Sequence, residues 1–350
     1  MKYLAVTLLL LMAACGDEAP RIAVEPLDAS EQELQSLYKW GMGPWAVASS
    51  ARTLAHPMRE QVLEYTVFYP IQKQLDVAVE KGVDTAAGAF GVLLFSHGNW
   101  SDNTKYDALI EHWVSHGYVV LAPLHQDGAG GYLQGTINMI RYGNLGLIQA
   151  RGDDLVALLD VVPELQGELP DIAGQIESTR IAATGHSFGA FNAQQLGGAA
   201  AYDTDTESFV SVRDERVQAV VAISPPGPMF DEINEGSWQH QSTPTLMTTG
   251  TWDTNAMFWP QWQMHKKSFD TAVAGDQYAL IVQGADHYLG NLICRPELEE
   301  APQYDALNMV NTHVVAFLDA YLKDDERALR FLASNQVAAV TSQFAVLEQR

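Results

Sequence analysis

The pentapeptide Gly185-His186-Ser187-Phe188-Gly189 is the pattern in this chain with the clearest chemical use. It follows the apolar run Ile181-Ala182-Ala183-Thr184 and precedes a helix-compatible stretch over 190–200. A glycine-flanked serine between a strand and a helix sits at the tip of a turn too sharp for bulky neighbours, with its hydroxyl exposed. Alone, that hydroxyl is a weak nucleophile. It needs a base to take its proton, an acid to orient the base, and N–H donors for the oxyanion of a tetrahedral intermediate.

A nucleophile on such a turn draws its partners from the chain beyond it, in the order serine, acid, histidine. The downstream histidines are His240, His265, His287 and His313. His287 lies in Gln283-Gly284-Ala285-Asp286-His287-Tyr288, directly after an apolar run, where a loop side chain reaches over a sheet edge; it is the expected base. His313 falls inside the apolar helical stretch NTHVVAFL and reads as packed structure. His240 precedes a strand, and His265, beside Lys266 and Lys267, reads as part of a polar face. Asp253, in the turn Gly250-Thr251-Trp252-Asp253-Thr254-Asn255, is the expected acid, whereas Asp231 and Glu232 come late in the preceding loop. Asp286 is too near His287 to orient it and reads as a solvated loop carboxylate.

One oxyanion N–H is expected from Phe188 and the second from Ser96-His97-Gly98-Asn99-Trp100, with Asn99 preferred and Trp100 the alternative. His97 precedes the nucleophile and is expected to shape that loop. No metal or organic cofactor is required by this set. Trp100, Trp252, Phe258, Trp259 and Trp262, with Met257 and the 225–238 loop, are expected to wall an apolar pocket, although some could instead pack a helix onto the sheet. The run HQDGAGGYLQG over 125–135 lacks the terminal GK[ST] of a phosphate loop and reads as a mobile loop beside the pocket.

Elements able to hold these residues recur from about residue 60. Short apolar runs occur at Val62–Tyr69, Val92–Phe95, Tyr118–Ala122, Ile181–Thr184, Ala219–Ile223, Thr245–Thr249 and Tyr278–Val282. Helical spacing separates most of them, at Tyr106–Ser115, Leu145–Val162, Phe188–Ala200 and Tyr304–Leu322. Strand and helix alternate, and several strands are apolar on both faces. This predicts an α/β protein with a mostly parallel sheet covered on both sides, whose chemistry lies at the carboxyl ends of the strands.

The 350-residue chain is 47% apolar and 18% charged, enough for a sizeable core. Its 20 basic and 43 acidic residues give a net charge of −23, which opposes nucleic acid and anionic headgroups. Met1-Lys2, an apolar stretch over 3–14 and the run Leu11-Met12-Ala13-Ala14-Cys15 resemble a bacterial lipoprotein signal with a lipidated Cys15. A plain secretory signal is the alternative. Lipidation of Cys15 would leave Cys294 alone and expected to be a buried small hydrophobe.

FSHGNW, SHGYVVLAP at 115–123, GHSFGA and GADH together resemble the α/β-hydrolase superfamily over about residues 60–322. The closer resemblance is to bacterial predicted dienelactone hydrolases and platelet-activating-factor acetylhydrolase-like serine esterases, with a looser one to cutinase-type polyester hydrolases. It carries Ser187, His287 and the loop His97-Gly98-Asn99 into the family's nucleophile, base and oxyanion positions. Two departures matter: Ser224 stands where animal platelet-activating-factor acetylhydrolases take their acid, and Ser187 stands where true dienelactone hydrolases have cysteine.

The expected organisation is a signal peptide over 1–14, a tether and approach segment over 15–55, a catalytic α/β-hydrolase domain over 56–323 and a helical extension over 324–350. That extension is expected either to pack on the domain or to pair with another subunit. The expected activity is hydrolysis of neutral carboxylic esters through an acyl-enzyme, in the cell envelope, with the lipid as the only membrane attachment. Acyl transfer by the same residues, or a non-catalytic ligand-binding lipoprotein, are the alternatives.

Overall fold

The computed structural model describes residues 21–72, 89–128, 131–256 and 258–350. The leader over 1–14, Cys15 and Met257 lie outside them. Nine strands form one sheet: β1 (Ala46–Ala55), β2 (Val62–Ile71), β3 (Phe90–Ser96), β4 (Tyr118–Pro123), β5 (Ile176–His186), β8 (Val217–Ile223), β9 (Thr245–Gly250), β10 (Gln277–Val282) and β11 (Ala345–Gln349). A separate hairpin pairs β6 (Ala201–Asp203) with β7 (Ser208–Val210). The order across the sheet is β1-β2-β4-β3-β5-β8-β9-β10-β11. Strands β4 through β10 run parallel, and β1, β2 and β11 are antiparallel additions at the two edges.

The helices are α1 (Glu31–Leu34), α2 (Asp107–Ser115), α3 (Gly131–Val161), α4 (Leu165–Glu168), α5 (Phe188–Leu196), α6 (Lys267–Thr271), α7 (Tyr304–Leu322), α8 (Glu326–Leu332) and α9 (Gln336–Val340). Alternation along β3 shows how they cover the sheet. Val92 and Leu94 pack under α3 and α5, while Leu93 and Phe95 pack under α2 and α7. All four side chains are fully buried, and each stabilises the fold by roughly 1.5–3 kcal/mol relative to exposure. A strand buried on both faces reads as a continuous apolar run, which is why the central strands were visible in the sequence.

The α/β-hydrolase architecture is thereby established, with corrections at its margins. The approach segment does not end outside the domain: its last ten residues are β1, paired along its whole length with β2. Its residues, AVASSARTLA, show no apolar run because an edge strand with one wet face needs none. The tail over 324–350 is not wholly helical, since β11 closes the far edge against β10. The stretch 125–135 is not one loop beside the pocket: His125 and Asp127 are buried, and α3 begins at Gly131. Helix α3 breaks at Gly143, whose φ of 67° and ψ of 175° leave the helical region. Among the described residues no helix is long and apolar enough to cross a membrane.

Because β3, β5, β8, β9 and β10 are parallel, their carboxyl ends share one edge of the sheet. Asn99, Ser187, Pro225, Asp253 and His287 all follow those ends.

Candidate active site

Strand β5 ends at His186 and α5 starts at Phe188, leaving Ser187 alone between them with φ 54° and ψ −125°. That conformation is costly for a residue with a side chain and persists because the surroundings impose it. The flanking glycines are required by contact: a Cβ on Gly185 would lie 2.4 Å from the Gly189 carbonyl oxygen, and one on Gly189 would lie 2.1 Å from that of Ser96. The Ser187 N–H donates to the Ile223 carbonyl at 2.9 Å, tying the turn to β8. Trp100, Ser224, Leu289 and Cys294 also hold positive φ, so strained backbone gathers around this edge.

Ser187 Oγ lies 2.8 Å from His287 Nε2, and His287 Nδ1 lies 2.8 Å from Asp253 Oδ1. Asp253 is fully buried, and its Oδ2 accepts from Thr249 Oγ1 at 3.2 Å. Burial alone would push the Asp253 carboxyl up, but His265 and His287 beside it hold it well below the usual carboxylate range. It is therefore an anion at neutral pH, and His287 must carry its proton on Nδ1, leaving Nε2 free to accept from Ser187.

His265 was expected on a polar face; it is instead fully buried, with Nε2 2.9 Å from Asp253 Oδ1. Lys266 and Lys267 suggested a solvated turn, yet the aromatic residues before them turn His265 inward, where its ring lies 5.3 Å from that of Trp259. Asp253, His265 and His287 are metal-ligand types with donor atoms within 4.8 Å of one another. Asp253 Oδ1 is however only 2.8 and 2.9 Å from the two imidazole nitrogens, shorter than the roughly 3.3 Å between ligands of a tetrahedral zinc site. The contacts are those of hydrogen bonds and ion pairs.

The loop expected to receive the oxyanion is held from behind. Arg151, fully buried in α3, grips Asp127 through Nε at 2.9 Å and Nη2 at 2.5 Å. It also donates through Nη1 to the His97 carbonyl at 2.5 Å and through Nη2 to that of Gly98 at 3.3 Å. In a planar trans peptide the N–H points opposite the carbonyl, so drawing the Gly98 oxygen toward Arg151 turns the Asn99 N–H the other way. Phe188 opens α5, so its N–H is one of the four a helix start leaves without an intrahelical acceptor. The Arg151 guanidinium also lies 5.0 Å from the Phe188 ring centre, so one cation touches both sides of the site.

His97 shapes this loop: Nδ1 donates to its neighbour's carbonyl, Gly98 O, at 2.8 Å, and Nε2 accepts the His125 N–H at 3.2 Å. Burial, with Arg151 beside it, pushes His97 down to about 4. A second network joins this loop to His287. The Gly98 N–H donates to Tyr106 Oη at 2.8 Å, Tyr106 donates to His186 Nδ1 at 3.1 Å, and His186 Nε2 donates to the His287 carbonyl at 2.8 Å. Burial, with His287 close by, pushes His186 down to about 3, so it is neutral, with its proton on the Nε2 that donates to the His287 carbonyl.

Ser187 and His287 open onto a cavity of about 170 Å³ with apolar walls that include Met139, Met229, Phe230, Phe258 and Trp259. Of the expected aromatic wall, Trp100, Phe258 and Trp259 line it. Trp252 does not: it lies under Arg21, and its Nε1 donates to the Ile22 carbonyl at 2.6 Å. Trp262 packs against the cluster under α6 that contains Phe269. A turn after a strand can send neighbouring side chains to opposite sides, and spacing alone did not separate them. Asp286 is not a solvated carboxylate: it is 7% exposed and accepts the N–H groups of Tyr288 and Gly290 at 3.0 and 2.8 Å. Cys294 is 2% exposed and burial pushes its thiol up, which keeps it protonated.

Residue spacing does not place His265, Arg151 or Tyr106 at the site. Arg151 had a signal, as a lone cation in the otherwise apolar face of LIQARGDDLVALL.

Sheet and serine turn together are those of the α/β-hydrolase fold. A family model described as Chlorophyllase matches residues 73–212, a stretch that contains the Asn99 loop, Arg151 and Ser187 and ends before Asp253 and His287. The chain is similar over that part to a family of ester hydrolases built on this fold. No curated protein matches the chain.

Proposed function

We propose that this protein is a serine hydrolase that cleaves carboxylic esters through an acyl-enzyme. The observation that carries the reading is the unbroken relay from Ser187 Oγ to His287 Nε2 and from His287 Nδ1 to Asp253, at 2.8 Å in each step. His287 takes the Ser187 proton as Oγ attacks the ester carbonyl, and the N–H groups of Asn99 and Phe188 receive the oxyanion. The intermediate collapses, the proton passes from His287 to the leaving alcohol, and Ser187 keeps the acyl group. Water then attacks with the same base, returning the carboxylic acid and free Ser187.

The substrate is a neutral ester with an apolar acyl or aryl group, a reading supported by the Met and aromatic walls of the cavity and by the acidic surface. Ser187→Ala should lower kcat on a short p-nitrophenyl ester by roughly 10⁶, the scale measured when such a nucleophile is removed. Retained turnover in a folded Ser187→Ala protein would refute the mechanism.

The site is proposed to work in the cell envelope, carried there by a lipid on Cys15. Expression with a radiolabelled fatty acid should label the chain, and Cys15→Ala should abolish the label. An unlabelled wild-type chain removes the anchor from the proposal.

A further inference from the structure

His265 follows the single turn Trp262–Met264 and lies behind Asp253, away from the cavity. Its two ring nitrogens face two oxygens that can only accept. Nδ1 is 2.6 Å from the carbonyl oxygen of Pro225, and Nε2 makes an oblique ion-pair contact of 2.9 Å with Asp253 Oδ1. A neutral imidazole has one N–H and one lone pair, so one of these contacts would set a lone pair against an oxygen. An imidazolium has an N–H for each.

We propose that His265 is a permanent imidazolium that shares Asp253 with His287 and thereby sets the pH range over which His287 serves as the base. It is a positioning residue, since it touches the acid and not the substrate. The inference rests on the reading of Ser187, His287 and Asp253 as a catalytic relay.

One carboxylate oxygen thus meets two imidazoles whose ring centres are 5.7 Å apart. With His265 charged, protonation of His287 places two cations on one buried anion. That repulsion opposes the doubly charged pair and favours passage of the Ser187 proton on from His287 to the leaving alcohol.

Five other groups bear on the pair, among them Tyr288, whose ring centre lies 5.1 Å from that of His287 and whose phenol burial keeps protonated, and Asp286, which meets Arg21 at 3.9 Å. His186 lies against His287 with ring centres 4.8 Å apart and is neutral. Trp259 stacks near both rings and carries no charge. Lys266 turns outward to Glu348 at 2.6 Å and Asp270 at 3.6 Å. Burial opposes the charge on His265, and the Asp253 carboxylate with the Pro225 carbonyl raises it on balance.

The test has two arms. In the intact protein, nitrogen-15 NMR of labelled histidine between pH 6 and 9 should find protons on both ring nitrogens of His265 throughout. A singly protonated His265 at pH 8 overturns the proposal without reference to activity. In His265→Gln, which removes the charge and retains an N–H donor, the acid limb of the kcat/KM profile should move to higher pH. Two charges 5.7 Å apart at an effective dielectric near 20 correspond to a shift of roughly 2 pH units. A limb that stays in place in a folded variant overturns the coupling, because a merely structural histidine would lower kcat at every pH alike. If Ser187→Ala is inactive and His265 is singly protonated, this inference fails alone; if Ser187→Ala stays active, the relay it depends on fails.

Discussion

Replacing Arg151 with lysine separates the two tasks that the guanidinium performs. Lysine keeps a positive charge for Asp127, so no buried carboxylate is left unpaired, an omission that would cost about 3–5 kcal/mol. The single Nζ cannot reproduce a planar fork that meets Asp127 through two nitrogens while reaching the carbonyls of both His97 and Gly98. Losing one such charge-assisted bond costs roughly 1.5–3 kcal/mol, which the protein should survive with a lowered melting temperature. The Gly98 oxygen would keep His97 Nδ1 at 2.8 Å and the Ser101 N–H at 3.3 Å but lose the pull of the guanidinium, and its peptide would tilt. The Asn99 N–H would then lose its aim. Removal of one oxyanion donor lowers kcat by about 10²–10³, so Arg151→Lys should approach a 10²-fold loss, mostly in kcat. Steady-state kinetics on a p-nitrophenyl ester, alongside a thermal melt, read both quantities. A folded Arg151→Lys enzyme with wild-type kcat would show that the loop is held without Arg151 and that the peptide-plane argument is wrong.

Asp253→Asn should lower kcat by about 10⁴ with little change in KM, since an amide can donate to His287 Nδ1 and so favours the wrong tautomer; a loss below tenfold would move the acid elsewhere. Acid should weaken the fold well before carboxylates titrate. His97 and His313 are held down to about 4 and His186 to about 3 by burial, so the unfolded chain binds their protons first as pH falls below about 6.5. Each withdraws roughly 1.4 kcal/mol per pH unit between 6.5 and its folded value; His265, raised by Asp253, contributes stability that is complete below about 6.5 and adds no slope there. The urea midpoint should fall between pH 7 and 4.5, and an unchanged midpoint would mean that these histidines are not neutral when folded. Finally, Trp259→Ala should raise KM for esters of longer acyl chains severalfold, whereas Trp252→Ala should not; equal effects would contradict the cavity wall drawn above.

The sequence by itself determined the strands that are buried on both faces, the long helices between them, and the serine turn. Each of these imposes a residue-level requirement: apolar side chains on both sides of β3, helical spacing in α7, no Cβ at Gly185 or Gly189. It also pointed to His287 and Asp253, because a parallel sheet sends the ends of β9 and β10 to the same edge as Ser187. Edge strands β1 and β11 escaped, since a strand with one wet face carries half the apolar signal and RTLA or AVLEQ reads equally well as helix.

Only the tertiary structure decided which way a loop side chain points. Spacing cannot tell that Trp252 faces Ile22 while Trp259 faces the cavity, that Asp286 is buried, or that a histidine beside two lysines turns inward to Asp253. The Trp252–Ile22 contact joins residues 230 positions apart and the Arg151–His97 contact residues 54 apart, and their strength depends on burial that no single segment controls. The relay was legible because its parts obey local rules. The charge on His265 and the grip of Arg151 arise from what the fold encloses around them.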